Sequence, residues 1–77
     1  MSKIRKSITD LNNHETGTIS GFSKNLINKS RIMEMGLLKN VIIRMIKKTP
    51  FNGPVELKVR NYYLVLRYSE AVNIYIQ

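Results

Sequence analysis

Between Val55 and Arg60 the chain alternates without a break: Val55, Leu57 and Val59 are apolar, and Glu56, Lys58 and Arg60 are charged. A period of two belongs to a strand with one dry and one wet face. The next run, Tyr62 to Leu66, is aromatic, β-branched or leucine throughout, which predicts a second strand. The two make a hairpin across a tight turn centred on Asn61, a residue type that tolerates the left-handed backbone. Whether the loop is Arg60-Asn61 or Asn61-Tyr62, opposed residues share a face, so Val55, Leu57 and Val59 lie with Leu64 and Leu66. The opposite face of the second strand then carries Tyr63 and Val65, too apolar for an ordinary solvent face. Either the chain's own helix or another strand covers them, or a partner does. Ahead of the hairpin, Pro50 and Pro54 bracket Phe51-Asn52-Gly53. Two backbone donors are thereby absent, and Gly53 is free to take positive φ, so this segment is a shaped loop.

The same reading extends along the rest of the chain. Met1 to Lys6 is a basic entry into a partial strand, with Ile4 and Ile8 as its buried residues. Ser7 to Leu11 is one turn of tight helix, capped by Thr9 and Asp10, with Leu11 plugging one end of the core. Thr18 to Phe22 is a strand with Ile19 inward, and Gly21 beside Phe22 marks a bulge or bend. Ser23 or Asn28 caps a helix that runs to Met35 and stops at Gly36. Stepping about 100° per residue puts Leu26, Ser30, Met33 and Leu37 on one side of it, with Ile32 and Met35 roughly opposite. Val41 to Ile46 is nearly apolar and reads as the central strand. Ser69-Glu70-Ala71 makes a helical turn, and Val72 to Ile76 closes the sheet. These elements predict a mainly β fold, a small SH3-like barrel of five to six strands with one inserted α-helix, spanning residues 1–77 as a single domain.

Composition narrows the function. Seventy-seven residues without cysteine have no disulfide or thiolate metal site to staple them, so stability rests on one core. Thirteen Lys and Arg against five Asp and Glu give a net charge of +8. That favours anionic surroundings: nucleic acid, an anionic membrane surface or an acidic protein face. The positive residues are scattered, with no run longer than two. No apolar run approaches the ~18 residues of a membrane span and no signal-peptide core is visible, which predicts a cytosolic protein. The one histidine, His14, lies in a polar loop beside Glu15. One histidine does not build a specific metal site, and no Ser-His-Asp arrangement or phosphate-binding glycine spacing is present. The reading is a binding module, not an enzyme, with no resident cofactor and no metal ligands.

The segments Arg31-Ile32-Met33-Glu34-Met35-Gly36-Leu37, Pro50 to Val59, and Tyr63 to Arg67 followed by Glu70-Ala71 together resemble the FeoA family. In that family an arginine-bearing helix ends in a Leu/Met-Gly-Leu/Met motif. A strand, a Pro-bracketed loop and a hairpin ending in a Leu-Ala/Val-Leu-Arg motif follow. The resemblance runs from Leu11 to Ile76. It implies an SH3-like fold, related to the C-terminal domain of DtxR-type regulators. It also implies a small cytosolic protein that supports ferrous iron uptake by the membrane GTPase transporter FeoB, with recruitment to the inner face of the membrane. The chain departs from the family at Lys39-Asn40, where Pro-Gly is usual, and at Asn52 and Asn61, where glycine is common. Asparagine is the next residue type to accept positive φ, so the turns survive.

A docking face should use apolar residues that the core does not need. By the helical projection these are Ile32 and Met35, and on the hairpin Tyr63 and Val65, with Arg31 and Arg67 as a charged rim and Phe51 beside them. The alternative is that the helix lies over the outer face of the sheet, so that Ile32, Met35, Tyr63 and Val65 bury one another. A nucleic-acid-binding or regulatory SH3-like module is the other reading of the charge, disfavoured because no basic cluster is interleaved with aromatic platforms.

Overall fold

The computed structural model describes residues 5–77, so the expectation for Ile4 lies outside the described residues. Five antiparallel strands form one sheet: β1 (Thr16–Phe22), β2 (Ile42–Lys48), β3 (Val55–Val59), β4 (Tyr62–Leu66) and β5 (Ile74–Ile76). Their order across the sheet is β4-β3-β2-β1-β5. Helix α1 (Lys29–Glu34) is inserted between β1 and β2, and the short helix α2 (Tyr68–Ala71) precedes β5. The strand at 42–48 is central, as its apolar run predicts.

The hairpin has the expected faces. Val55 pairs with Leu66, Leu57 with Leu64, and Val59 with Tyr62, so the loop is Arg60-Asn61. The left-handed residue of that turn is Arg60, with φ 54°, and not Asn61. The Pro50–Pro54 loop likewise places its positive φ on Phe51 (60°) and Asn52 (59°) rather than on Gly53. Gly53 is needed for space instead: a Cβ there would lie 2.7 Å from Thr49 Cγ2, closer than side-chain packing allows. Asn40, where the resemblance expects Pro-Gly, takes φ 76°.

Strand β1 serves two partners. Its first half pairs with β2, Thr16 opposite Arg44 to Thr18 opposite Ile42. Its second half pairs with β5, with a register shift between Ile19 and Gly21, the bulge that Gly21 predicts. That bend wraps the sheet around a core to which every element contributes: Ile8, Leu11, Ile19, Ile32, Leu37, Ile43, Met45, Val55, Leu57, Val59, Leu66, Ala71, Ile74 and Ile76. Each full-sized side chain in it is worth about 1.5–3 kcal/mol of burial. The 3₁₀ turn Ile8–Asp10 is capped by Ser7, not by Thr9. The Ser7 side chain accepts from Thr9 N–H, and the Asp10 carboxylate accepts the Ser7 N–H at 2.8 Å.

Helix α1 corrects the projection. Ser23 to Asn28 is not helical; Ser23 Oγ accepts from the Asn25 N–H in a separate turn, so Leu26 cannot set the helix phase. Asn28 does precede the helix, in the left-handed region. Within the short helix Ile32 is the buried residue, while Met33 is 39% exposed. Ile32 therefore points into the core and Met33 outward, the reverse of the expected faces. Gly36 ends the helix with φ 97°, and Leu37 N–H bonds back to the Ile32 carbonyl, the left-handed stop expected of that glycine.

Candidate docking site

The residues of the expected docking face separate once placed on this fold. Ile32 is fully buried and cannot touch a partner without unfolding α1, so it leaves the candidate set. Met35 is half-buried, packed against the core. The alternative arrangement, with the helix over the outer face of the hairpin, is not formed either: Tyr63 is 59% and Val65 62% exposed. No described residue covers them.

Arg31 faces α2. Its guanidinium forms an ion pair with the Glu70 carboxylate, which is almost wholly buried. Glu70 also accepts the Arg67 N–H at 3.0 Å through its other oxygen, capping α2. One carboxylate thus ties α1 to the start of α2, and a buried charge of this kind is tolerated because it is paired and hydrogen-bonded. Arg31 is therefore partly committed to the fold. Arg67 is exposed at the end of β4 and lines a groove with Asn52, Pro54, Tyr68 and Ser69. The Phe51 loop and the end of β4 thus flank one surface. Phe51 is fully exposed and is held in left-handed backbone, an uncommon conformation for a bulky residue that costs on the order of 1 kcal/mol.

The outer face of the sheet explains what sequence reasoning missed. In register, Arg44 lies opposite Lys58 and Lys58 opposite Tyr63, while Lys47 lies opposite Glu56 and Glu56 opposite Val65. Lys58 Nζ sits 5.6 Å from the centre of the Tyr63 ring, a cation–π arrangement. Arg44, Lys58 and Arg60 line one groove together with Ile42, which is 63% exposed. Two like charges directly opposite in a sheet repel, and the Arg44 guanidinium donates to the His14 carbonyl at 3.2 Å. Reading Val41 to Ile46 as a nearly apolar central strand hid Ile42. The visible signal was Arg44, whose place in the alternation puts Ile42 on the same open face.

The donor set does not fit a zinc-type site. Among the described residues no three His, Asp or Glu side chains converge, and Glu15, the neighbour of His14, accepts the Asn12 N–H. No helix of the described residues is long and apolar enough to cross a membrane.

A family model described as FeoA domain matches residues 6–77. No curated protein matches the chain. Among solved structures it is similar to an FeoA-like protein of Clostridium acetobutylicum, with 27% identity over 100% of this chain and 88% of that one and a TM-score of 0.82. The FeoA of Stenotrophomonas maltophilia, solved with zinc and described as an SH3 domain protein, shares 24% identity over 92% of this chain and 88% of that one, with a TM-score of 0.78. A manganese-dependent transcriptional repressor, in complex with manganese, contains the same fold. There 99% of this chain matches 37% of the repressor at 15% identity and a TM-score of 0.83. The mainly β, SH3-like class read from the elements is therefore the class of the fold.

Proposed function

The chain belongs to the FeoA domain family, and on that premise we propose that it is an accessory protein of ferrous iron uptake that docks on the cytosolic side of an FeoB-type membrane GTPase transporter. It acts through protein–protein contacts, changing the transporter's nucleotide turnover or its assembly, and carries neither a catalytic group nor a metal of its own. Iron is the transporter's cargo. The observation that supports this most is the uncovered pair Tyr63 and Val65, set among Lys58, Arg60 and Arg67 and away from any cluster of metal-ligating side chains among the described residues. Exposed apolar residues rimmed by charge fit a binding face. The test is co-purification with the intact transporter and with its cytosolic GTPase domain, with GTP hydrolysis followed as the chain is added. A stable complex and an altered rate are expected. No complex with either form would overturn the reading.

The groove of Arg44, Lys58 and Arg60 is the one feature that favours a nucleic-acid-binding module instead. Titration of DNA or RNA with no salt-dependent association removes that reading.

A further inference from the structure

The two edges of the sheet are treated differently. At the β5 edge the chain covers itself: Ser7 forms a bridge with Tyr75, and Ile76 N–H bonds to the Lys6 carbonyl. At the β4 edge nothing among the described residues adds a strand. The two-residue loop makes Val59 and Tyr62, which flank it, a hydrogen-bonded pair, and bonded pairs then alternate along the ladder. Leu57 with Leu64 and Val55 with Leu66 are bonded in turn. Tyr63 and Val65 consequently aim their N–H and C=O groups away from β3, at the open edge. They are also the two most exposed side chains of β4, at 59% and 62% against 40% for Tyr62. Backbone and side-chain vacancies coincide at the same two positions.

We infer that this edge takes an extended, acidic segment of the partner protein as a sixth strand, main chain paired to Tyr63 and Val65. Charge decides the occupant. A second copy would bring another +8 against Lys58, Arg60 and Arg67, and the only carboxylate within this stretch of the outer face is Glu56. Self-pairing is thereby opposed, which is how edge strands are ordinarily kept from aggregating. A segment with apolar residues at alternate positions and acids at both ends is complementary. Its apolar side chains lie against Tyr63 and Val65. Its acids meet Arg60 in the turn at one end of β4 and Arg67 just past the other. This is strand addition, in which main-chain bonds supply affinity and alternate side chains supply selectivity.

The inference rests on the proposed docking to the transporter, and the experiment separates the two. Amide hydrogen exchange is measured on the full chain, free and bound to the intact transporter in detergent. In the free protein the Tyr63 and Val65 amides are expected to exchange quickly and those of Tyr62, Leu64 and Leu66 slowly. In the complex Tyr63 and Val65 are expected to slow by more than about tenfold. A complex that leaves both amides fast overturns strand addition while the function stands. Failure to form any complex overturns both. Amides of Tyr63 and Val65 already protected in a free dimer would show that a second copy holds the edge, and would also overturn it. Val65→Pro removes an outward donor at a position where an edge strand tolerates proline. It should bind the transporter at least about tenfold more weakly, the equivalent of one lost hydrogen bond. Val65→Thr keeps the N–H while altering the contact side chain, so it should lose clearly less affinity than Val65→Pro; equal losses would overturn the main-chain pairing. Should Val65→Pro not fold, the exchange measurement on the parent chain still decides.

Discussion

At the scale of single residues, burial sorts the candidate positions more sharply than chemistry does. Ile32 is fully buried, so Ile32→Glu would place an unpaired carboxylate in the core and should unfold the protein, read as loss of the cooperative thermal transition. Leu57, equally buried at the centre of β3, should cost about 2–5 kcal/mol when changed to Ala, measured by urea unfolding. A loss well under about 1 kcal/mol would contradict the inward face of the hairpin. Glu70 joins the Arg31 guanidinium to the Arg67 N–H. Glu70→Ala should therefore destabilise by about 1–3 kcal/mol, since it orphans a buried cap as well as an ion pair. Gly36 needs both its φ of 97° and its missing side chain, because a Cβ there would run into the Tyr62 hydroxyl, which donates to the Met35 carbonyl. Gly36→Ala should lower stability by on the order of 1–3 kcal/mol. Tyr62→Phe should recover part of that loss, and strict additivity of the two changes would show that the contact does not matter.

At the scale of elements, the hairpin was legible and the helix was not, for reasons that lie in their lengths. Alternation across Val55 to Arg60 fixes a face whichever way the turn is counted, because opposed residues share a side. Hence the sequence alone puts Leu64 and Leu66 inward and Tyr63 and Val65 outward. The six residues of α1 span less than two turns, too few for periodicity to reveal its phase, and Leu26 belongs to the preceding turn. Ile32 and Met33 were therefore exchanged, and Ile32 was lost from the docking face. Turns behaved in the same divided way. Gly36, Asn40 and Asn52 take the left-handed backbone that their residue types favour. Arg60 and Phe51 take it because a two-residue loop and a proline-bracketed bend demand it there; tertiary geometry overrides local preference at both. The exposed Phe51 is thus a feature that the sequence points to by its place between two prolines and that only the backbone shows to be strained.

At the scale of the whole molecule, a net charge of +8 accompanies a five-stranded sheet with one covered edge and, among the described residues, one open edge. Arg44 and Lys58 stand opposite each other, and Lys58, Arg60 and Arg67 surround the open strand. If these charges recruit the partner, affinity for the transporter should fall by about tenfold between low salt and a few hundred millimolar, with most of the change in the association rate. Salt-independent binding would leave the apolar residues alone responsible. The claim on which everything else depends is that this chain serves a ferrous iron transporter by contact. The most direct test is uptake of radiolabelled ferrous iron by cells carrying the transporter, with the chain deleted and then restored as the parent or as a folded Val65→Pro. Deletion is expected to change the uptake rate, the parent chain to restore it, and Val65→Pro to restore it less. An uptake rate that is the same with and without the chain would contradict a role for it in ferrous iron uptake.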